Sequence, residues 1–260
     1  MNILDKIIAY KKKEIESISS ITPIDKIKEG HRLFQIRDFK NALMGNSIKV
    51  IAEIKRRSPS EKDIMIDANP SLVAKDYEKN GASTISILTD KHFFGGDLNF
   101  IQQVKSDISL PVLRKDFIIS EYQVWESFYA GADAILLIVD ALDFKELKNL
   151  YDLSYNLGMH VLVEAHSFDS LVDMENLSPE IAGFNCRDLK SMQTDIGLFE
   201  KVYKKLPNRS LKVAESGISH YDDLGKIFKL GYNAALIGTI LMKSGQPGYA
   251  LSSILNKVYK

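Results

Sequence analysis

The stretch Glu121–Val139, EYQVWESFYAGADAILLIV, contains one complete structural unit. Glu121–Ala130 reads as a helix, Gly131 stops it, and Ala134–Val139 is an unbroken apolar run. Glycine at such a stop enters the left-handed conformation that ends a helix without a steric penalty. A run apolar on both faces is what a strand needs when it is buried from both sides, as in a parallel sheet. Working outward in both directions, the unit recurs. Helical stretches fall at Asn69–Asn80, Asp143–Asn156 and Tyr221–Leu230, with glycine stops at Gly81, Gly158 and Gly231. Apolar runs fall at Ile48–Ile54, Ser83–Leu88, Leu110–Leu113, His160–Val163, Ile181–Phe184, Leu211–Ala214 and Ala234–Ile237.

Eight strands alternating with helices predict the α/β class and a closed barrel, a single (β/α)8 TIM barrel. No Gly-x-Gly-x-x-Gly follows the first strand, which argues against an open sheet holding a dinucleotide. The 260 residues match the roughly 250 that one such barrel requires. The expected organisation is therefore one domain, 1–260, made of an N-terminal helical extension, 1–46, and a barrel, 47–260. Within the extension, Ile3–Ile15 carries a helical apolar stripe and a second helix is expected near Leu33–Met44. Lys11–Lys13 reads as the solvated face of the first helix, since glutamates follow at once.

Composition narrows the function classes. Lysine plus arginine and aspartate plus glutamate number 34 each, so the formal net charge is zero and no global field steers the chain to nucleic acid or an anionic membrane. Any anion it binds must be held locally. The single cysteine, Cys186, excludes an internal disulfide and fits a reducing compartment. Met1–Ser20 lacks the apolar core of a signal peptide, and no segment reaches a membrane span of about 20 apolar residues. A cytoplasmic protein is expected, and a monomer, without nucleic-acid or membrane partners.

In a barrel of this kind the C-terminal ends of the strands face the active site. Strand one ends Ala52-Glu53-Ile54-Lys55, strand three Leu113-Arg114-Lys115-Asp116-Phe117, and strand five Val163-Glu164-Ala165-His166. Strand six ends Phe184-Asn185-Cys186-Arg187-Asp188, strand seven Ala214-Glu215-Ser216-Gly217, and strand eight Ile237-Gly238-Thr239. The period of two puts Glu53 with Lys55, and Asn185 with Arg187, on one side. Convergent buried charges are costly unless paired, so this ring points to a catalytic constellation. Gly217 and Gly238, at strands seven and eight, sit where such barrels bind phosphate through backbone N–H groups.

These segments resemble one family, indole-3-glycerol phosphate synthase of tryptophan biosynthesis. The resemblance runs along nearly the whole chain, from the opening helix Ile3–Ile15 through Ile51–Ser60, Leu88–Gly96, Leu113–Ile118, Val163–His166, Asn185–Leu189 and Ala214–Ile218. The Glu-x-Lys-x-x-Ser-Pro-Ser run at Glu53–Ser60, combined with Lys115-Asp116-Phe117, is its most specific part. Two departures stand out. Cys186 replaces the second asparagine of the usual Asn-Asn-Arg-Asp-Leu and is expected to point away from the pocket as a packing thiol. Glu61-Lys62 stands where a Lys-Gly pair is common.

The resemblance implies a carboxy-lyase that closes the indole ring of 1-(2-carboxyphenylamino)-1-deoxyribulose 5-phosphate, losing carbon dioxide and water. It implies no metal and no organic cofactor, only this phosphorylated small-molecule substrate. It assigns Lys115 as general acid, with a pKa lowered towards neutrality by burial and nearby cations. Glu164 would be the general base of dehydration, with Lys55, Glu53 and Asn185 completing the catalytic set. Arg187 would pair with an anion, and Glu215 and Ser216 would contact hydroxyl and phosphate groups. Gly217, Gly238 and Thr239 would cradle the phosphate. Phe93 and Phe117 would sandwich the anthranilate ring, and Ser58 and Ser60 would meet substrate from a mobile loop after strand one. The isomerase that acts one step earlier is the nearest rival barrel, but it calls for a cysteine base on strand one, where Glu53 and Lys55 stand. A barrel kept only for binding is the other alternative, and the presence of every acid and base speaks against it.

Overall fold

The computed structural model describes residues 2–188 and 191–258; Leu189 of the sixth-strand motif, Met1, Tyr259 and Lys260 lie outside them. Strands β1 (Lys49–Ile54), β2 (Thr84–Leu88), β3 (Val112–Lys115), β4 (Ala134–Ile138), β5 (His160–Ala165), β6 (Ile181–Asn185), β7 (Leu211–Glu215) and β8 (Ala234–Ile237) form a closed barrel. Each strand lies parallel to its sequence neighbour, and β8 closes on β1 with Lys49 opposite Ala234. Helices α1 (Ile3–Ile21), α2 (Ile24–Lys28) and α3 (Phe39–Ala42) precede the barrel. Outside it run α4 (Pro70–Lys79), α5 (Lys91–Phe94), α6 (Asn99–Asp107), α7 (Glu121–Ala130), α8 (Phe144–Asn156), α9 (Ser170–Leu177), α10 (Leu198–Tyr203), α11 (Tyr221–Leu230), α12 (Thr239–Lys243) and α13 (Pro247–Val258). No helix among the described residues is long and apolar enough to cross a membrane.

Local signals explain where the helices stop and start. The glycine stops at Gly81, Gly131, Gly158 and Gly231 are all left-handed, with φ of 97°, 98°, 82° and 101°. At the other end, Asn69 caps α4 ahead of Pro70, Ser120 caps α7, and Asp143 with Glu146 forms a capping box on α8.

Two apolar layers result from the alternation of side chains along each strand. One lies between barrel and helices. The other fills the barrel and contains Ile51, Leu113, Leu136, Leu162, Ile181, Val213 and Leu236. Phe39 and Leu43, both fully buried, belong to that inner cluster, so α3 plugs the barrel with its apolar side.

The second N-terminal helix is shorter than the sequence suggested. Only Phe39–Ala42 of Leu33–Met44 is helical. The preceding segment is instead tied to the barrel through its polar groups. Arg32 donates to the carbonyls of Phe34, Phe128 and Ala132, and Arg37 to those of Leu110 and Lys105. The Arg37 N–H is taken by Asp133, which also receives two hydrogen bonds from Lys105 at 2.7 and 2.8 Å. These bonds give the backbone an alternative to helical pairing. β3 also differs from its expected bounds: it begins after Pro111 and runs to Lys115, which places that lysine on the strand itself.

Lys11 is a further correction. It is not solvated but buried, 3% exposed, with Nζ 2.9 Å from Asp90 and 3.2 Å from Asp116. Asp116 in turn accepts from Thr89 Oγ1 at 2.6 Å and from Arg114 at 3.1 Å. α1 is thus locked across the strand ends by a buried ion network.

Candidate active site

The period of two lifts each strand from an apolar interior residue to a polar one at the mouth. Ile51 leads to Glu53, Leu113 to Lys115, Leu162 to Glu164, and Val213 to Glu215. Register does the rest: Asn185 lies opposite Glu215, and Lys115 opposite Leu88. These residues line a cavity of about 400 Å³ at the C-terminal ends of the strands.

The floor is a network of three acids and two lysines. Glu53 and Lys55 pair at 2.8 Å; Lys115 Nζ lies 3.2 Å from Glu164 and 3.7 Å from Glu215. Two glycines, Gly183 on β6 and Gly238 just after β8, make room for it. A Cβ on Gly183 would meet a Glu215 carboxylate oxygen at 2.3 Å, and one on Gly238 would meet Glu53 at 2.4 Å. Gly238 therefore accommodates the Glu53 side chain.

This electrostatic setting reverses one expectation. Burial does pull the Lys115 pKa down, but Glu164, Glu215 and Glu53 outweigh it and hold the ammonium above the ordinary lysine value. Its neighbours are carboxylates, not cations, so the lysine is charged at rest. The two facing acids divide. Burial opposes charge on Glu164, yet Lys115 and His166 hold its carboxyl well below the usual range. Burial and the facing Glu164 push Glu215 well above it, so Glu215 is the more readily protonated of the two.

Around this floor stands a rim suited to anions. Arg187 lines the cavity, its N–H bonded to Asn185 Oδ1 at 3.1 Å and its Nη1 to the Met192 carbonyl at 2.9 Å. Ser216 and Gly217 follow β7 with φ of 69° and 72°. A serine held in the left-handed region costs about 1 kcal/mol or more, a strain typical of functional turns. Gly238 and Thr239 complete the rim where α12 begins, and Lys243 lies beside them. Ser58 and Ser60 enter from a short hairpin, Arg57–Ser58 against Lys62–Asp63, whose Glu61 pairs with Lys243.

The aromatic side departs from expectation. Phe117 faces the cavity, but its companion is Phe94, not Phe93. Asp90 caps α5 through the Phe93 and Phe94 N–H groups, and one step of helix turns the two rings apart. Phe93 packs edge-on against Tyr10 of α1 at 5.6 Å. Phe94 and Phe117 lie 5.9 Å apart at 33°, in contact with each other and forming one wall instead of two faces of a sandwich. Ile3, Leu4 and Ile7 bring α1 over the same mouth. The sequence reading gave no role to Phe94, to these α1 residues or to His166. For His166 a signal existed: the alternation that turns Glu164 inward turns His166 inward too.

The indole-3-glycerol phosphate synthase family profile matches residues 4–253. A protein of that name from Shouchella clausii (strain KSM-K16) is 40% identical over 258 residues, 98% of each chain. Another, from Thermoanaerobacter pseudethanolicus, is 42% identical over 241 residues, 93% of this chain and 92% of the relative. The chain belongs to the indole-3-glycerol phosphate synthase family. It is therefore an enzyme of a carboxy-lyase family of tryptophan biosynthesis. Solved structures at lower identity show the fold alone: 3-hexulose-6-phosphate synthase from Salmonella typhimurium has a TM-score of 0.63 at 14% identity, covering 81% of this chain and all of that one.

Against the family's usual motifs, the two departures now have a place. Cys186 is buried and absent from the cavity lining; its thiol donates to the Ser216 carbonyl at 3.4 Å. Burial pushes that thiol up to about 11, which leaves it a packing group as expected. Lys62 takes a φ of 55° in the hairpin after β1, the left-handed conformation a glycine adopts without strain. The loop thus keeps a glycine-like backbone without the glycine.

Proposed function

We propose that this chain is an indole-3-glycerol phosphate synthase, converting 1-(2-carboxyphenylamino)-1-deoxyribulose 5-phosphate to indole-3-glycerol phosphate with loss of carbon dioxide and water. The observation that carries the reading is the Lys115–Glu164 pair, a charged acid and an ionised base 3.2 Å apart in one cavity. Lys115 gives its proton to the ribulose carbonyl oxygen as the aromatic carbon bonds to the carbonyl carbon. A raised pKa does not disqualify it, because the developing alkoxide is a stronger base than any amine. Carbon dioxide then leaves and restores the aromatic ring. Glu164 then takes a proton from the substrate while the new hydroxyl receives one from the Lys55 ammonium and departs as water, and solvent restores the protons of the two lysines.

The other residues position the substrate. Lys55, held by Glu53, and Arg187 supply cations for the substrate carboxylate. Neutral Glu215 donates a hydrogen bond to a hydroxyl without adding charge. Asn185 steadies Arg187, and Ser216, Gly217, Gly238 and Thr239 receive the phosphate. Ser58 and Ser60 close over it from the hairpin, and Phe117 with Phe94 flanks the anthranilate ring. In this reading the protein acts as a monomer organised as one domain, 1–260, with Phe39 in the barrel interior and Lys11 at its mouth joining 1–46 to 47–260. A lone, inert thiol supports a reducing cytoplasm. Purified protein given the substrate should develop indole fluorescence. Binding without fluorescence would instead favour a barrel kept for binding.

A further inference from the structure

Glu164 meets a different cationic partner with each of its oxygens. Lys115 Nζ lies 3.2 Å from Oε2, and His166 Nε2 lies 2.6 Å from Oε1. The histidine side chain is 7% exposed, and its Nδ1 faces the backbone carbonyl of Arg187 at 3.5 Å. The backbone N–H of His166 donates to Asp140 Oδ2 at 3.0 Å. A carboxylate and a carbonyl only accept hydrogen bonds. Nε2 therefore donates to Glu164, and an imidazolium also turns an N–H at Nδ1 towards the Arg187 carbonyl, where a neutral imidazole would set a lone pair against it.

The charge count in the mouth gives that cation a task. Glu53, Glu164 and Glu215 converge on Lys55 and Lys115, one carboxyl too many for the lysines. The groups facing His166 are Glu164 from β5, Lys115 from β3, Asp140 after β4 and Arg187 after β6, whose guanidinium turns to Met192. Burial opposes charge on the imidazole, but Glu164 and Asp140 outweigh burial and Lys115, and its pKa is raised. Glu164 thus has two cations while Glu215 shares one.

We propose that His166 is a positioning residue for the base: an imidazolium that pins Glu164 Oε1, leaves Oε2 for the substrate, and makes Glu164 rather than Glu215 the acid that stays ionised. This rests on the reading of Glu164 as the dehydration base. As a positioning residue it acts through Glu164.

The test joins nitrogen NMR of labelled histidines to pH–rate profiles. In wild-type protein one histidine should carry protons on both ring nitrogens at neutral pH. That signal should vanish in His166→Gln, which assigns it, and its pKa should fall in Glu164→Gln. In His166→Ala, kcat should drop about tenfold to a hundredfold with KM within about threefold. The acidic limb of its kcat profile should move to higher pH, since the base has lost a cation that kept it ionised. His166→Gln keeps one N–H donor but no charge, so it should recover most of kcat while the limb stays displaced. A neutral His166 tautomer in the wild type, or an unmoved acidic limb in either folded variant, would overturn the proposal. Absence of turnover in wild-type protein would count against the enzyme reading instead, and the NMR arm would still decide the state of His166.

Discussion

Leu113 and Lys115 stand two positions apart on one strand, the first packed in the barrel interior and the second at its mouth. The sequence shows this alternation, and with it which residues reach the site. It does not show their neighbours, because Glu53, Glu164 and Glu215 come from strands brought beside Lys115 only by barrel closure. The charge state of Lys115 therefore had to be read from the fold. Phe93 and Phe94 give a similar lesson: adjacent rings in a short helix point apart, and the capping by Asp90 decides which one faces the cavity. Phe94→Ala should raise KM by about tenfold through loss of an aromatic contact, while Phe93→Ala should leave KM within about twofold. Steady-state kinetics of the two variants separates them, and equal effects would refute the assignment.

Among the elements, the barrel strands and glycine stops were legible because burial on both faces and a left-handed helix end each leave a local mark. α1 was legible as a helix but not in what it does, since Lys11 finds its partners, Asp90 and Asp116, on distant strand ends. Removing that buried cation takes from Asp90 its ion-pair partner and leaves Asp116 to Arg114 and Thr89. Lys11→Met should destabilise the protein by about 3 kcal/mol, measured by urea unfolding at pH 7. It should also raise KM, because Ile3, Leu4 and Ile7 are held over the mouth by the same helix.

The pH dependence of this network has a definite sign. Burial raises the Asp116 carboxyl, but Arg114 and Lys11 outweigh it and leave the pKa lowered. Its contribution to stability is present above the unfolded value of 3.8 and is lost as pH falls through the lower folded value. Burial lowers the Lys11 pKa, but Asp116 and Asp90 outweigh it and leave it raised. That contribution is present below 10.5 and is lost as pH rises through the folded value. Lys11→Met should therefore flatten the alkaline side of the stability profile and weaken the acid side. A profile parallel to wild type would show that the ion network does not act in this way.

At the scale of the whole molecule, the extension and the barrel are joined at two ends. α3 plugs the interior with Phe39 while Lys11 locks α1 across the mouth. Trp125, the one tryptophan of the chain, lies on α7 with Lys28 of α2 over its ring at 5.8 Å. Its fluorescence reports that junction, whereas far-ultraviolet circular dichroism reports all helices and strands. If 1–46 and 47–260 unfold as one unit, the two urea transitions should coincide. An earlier fluorescence transition would mean that the extension detaches first.

The central claim is that Lys115, held charged by Glu53, Glu164 and Glu215, delivers the proton that closes the ring. The most direct test is single-turnover indole fluorescence of Lys115→Ala, paired with a binding measurement using a substrate analogue. Ring closure should be lost by a factor of about a thousand or more while analogue affinity stays within about tenfold. Indole formation at the wild-type rate in that variant would contradict it.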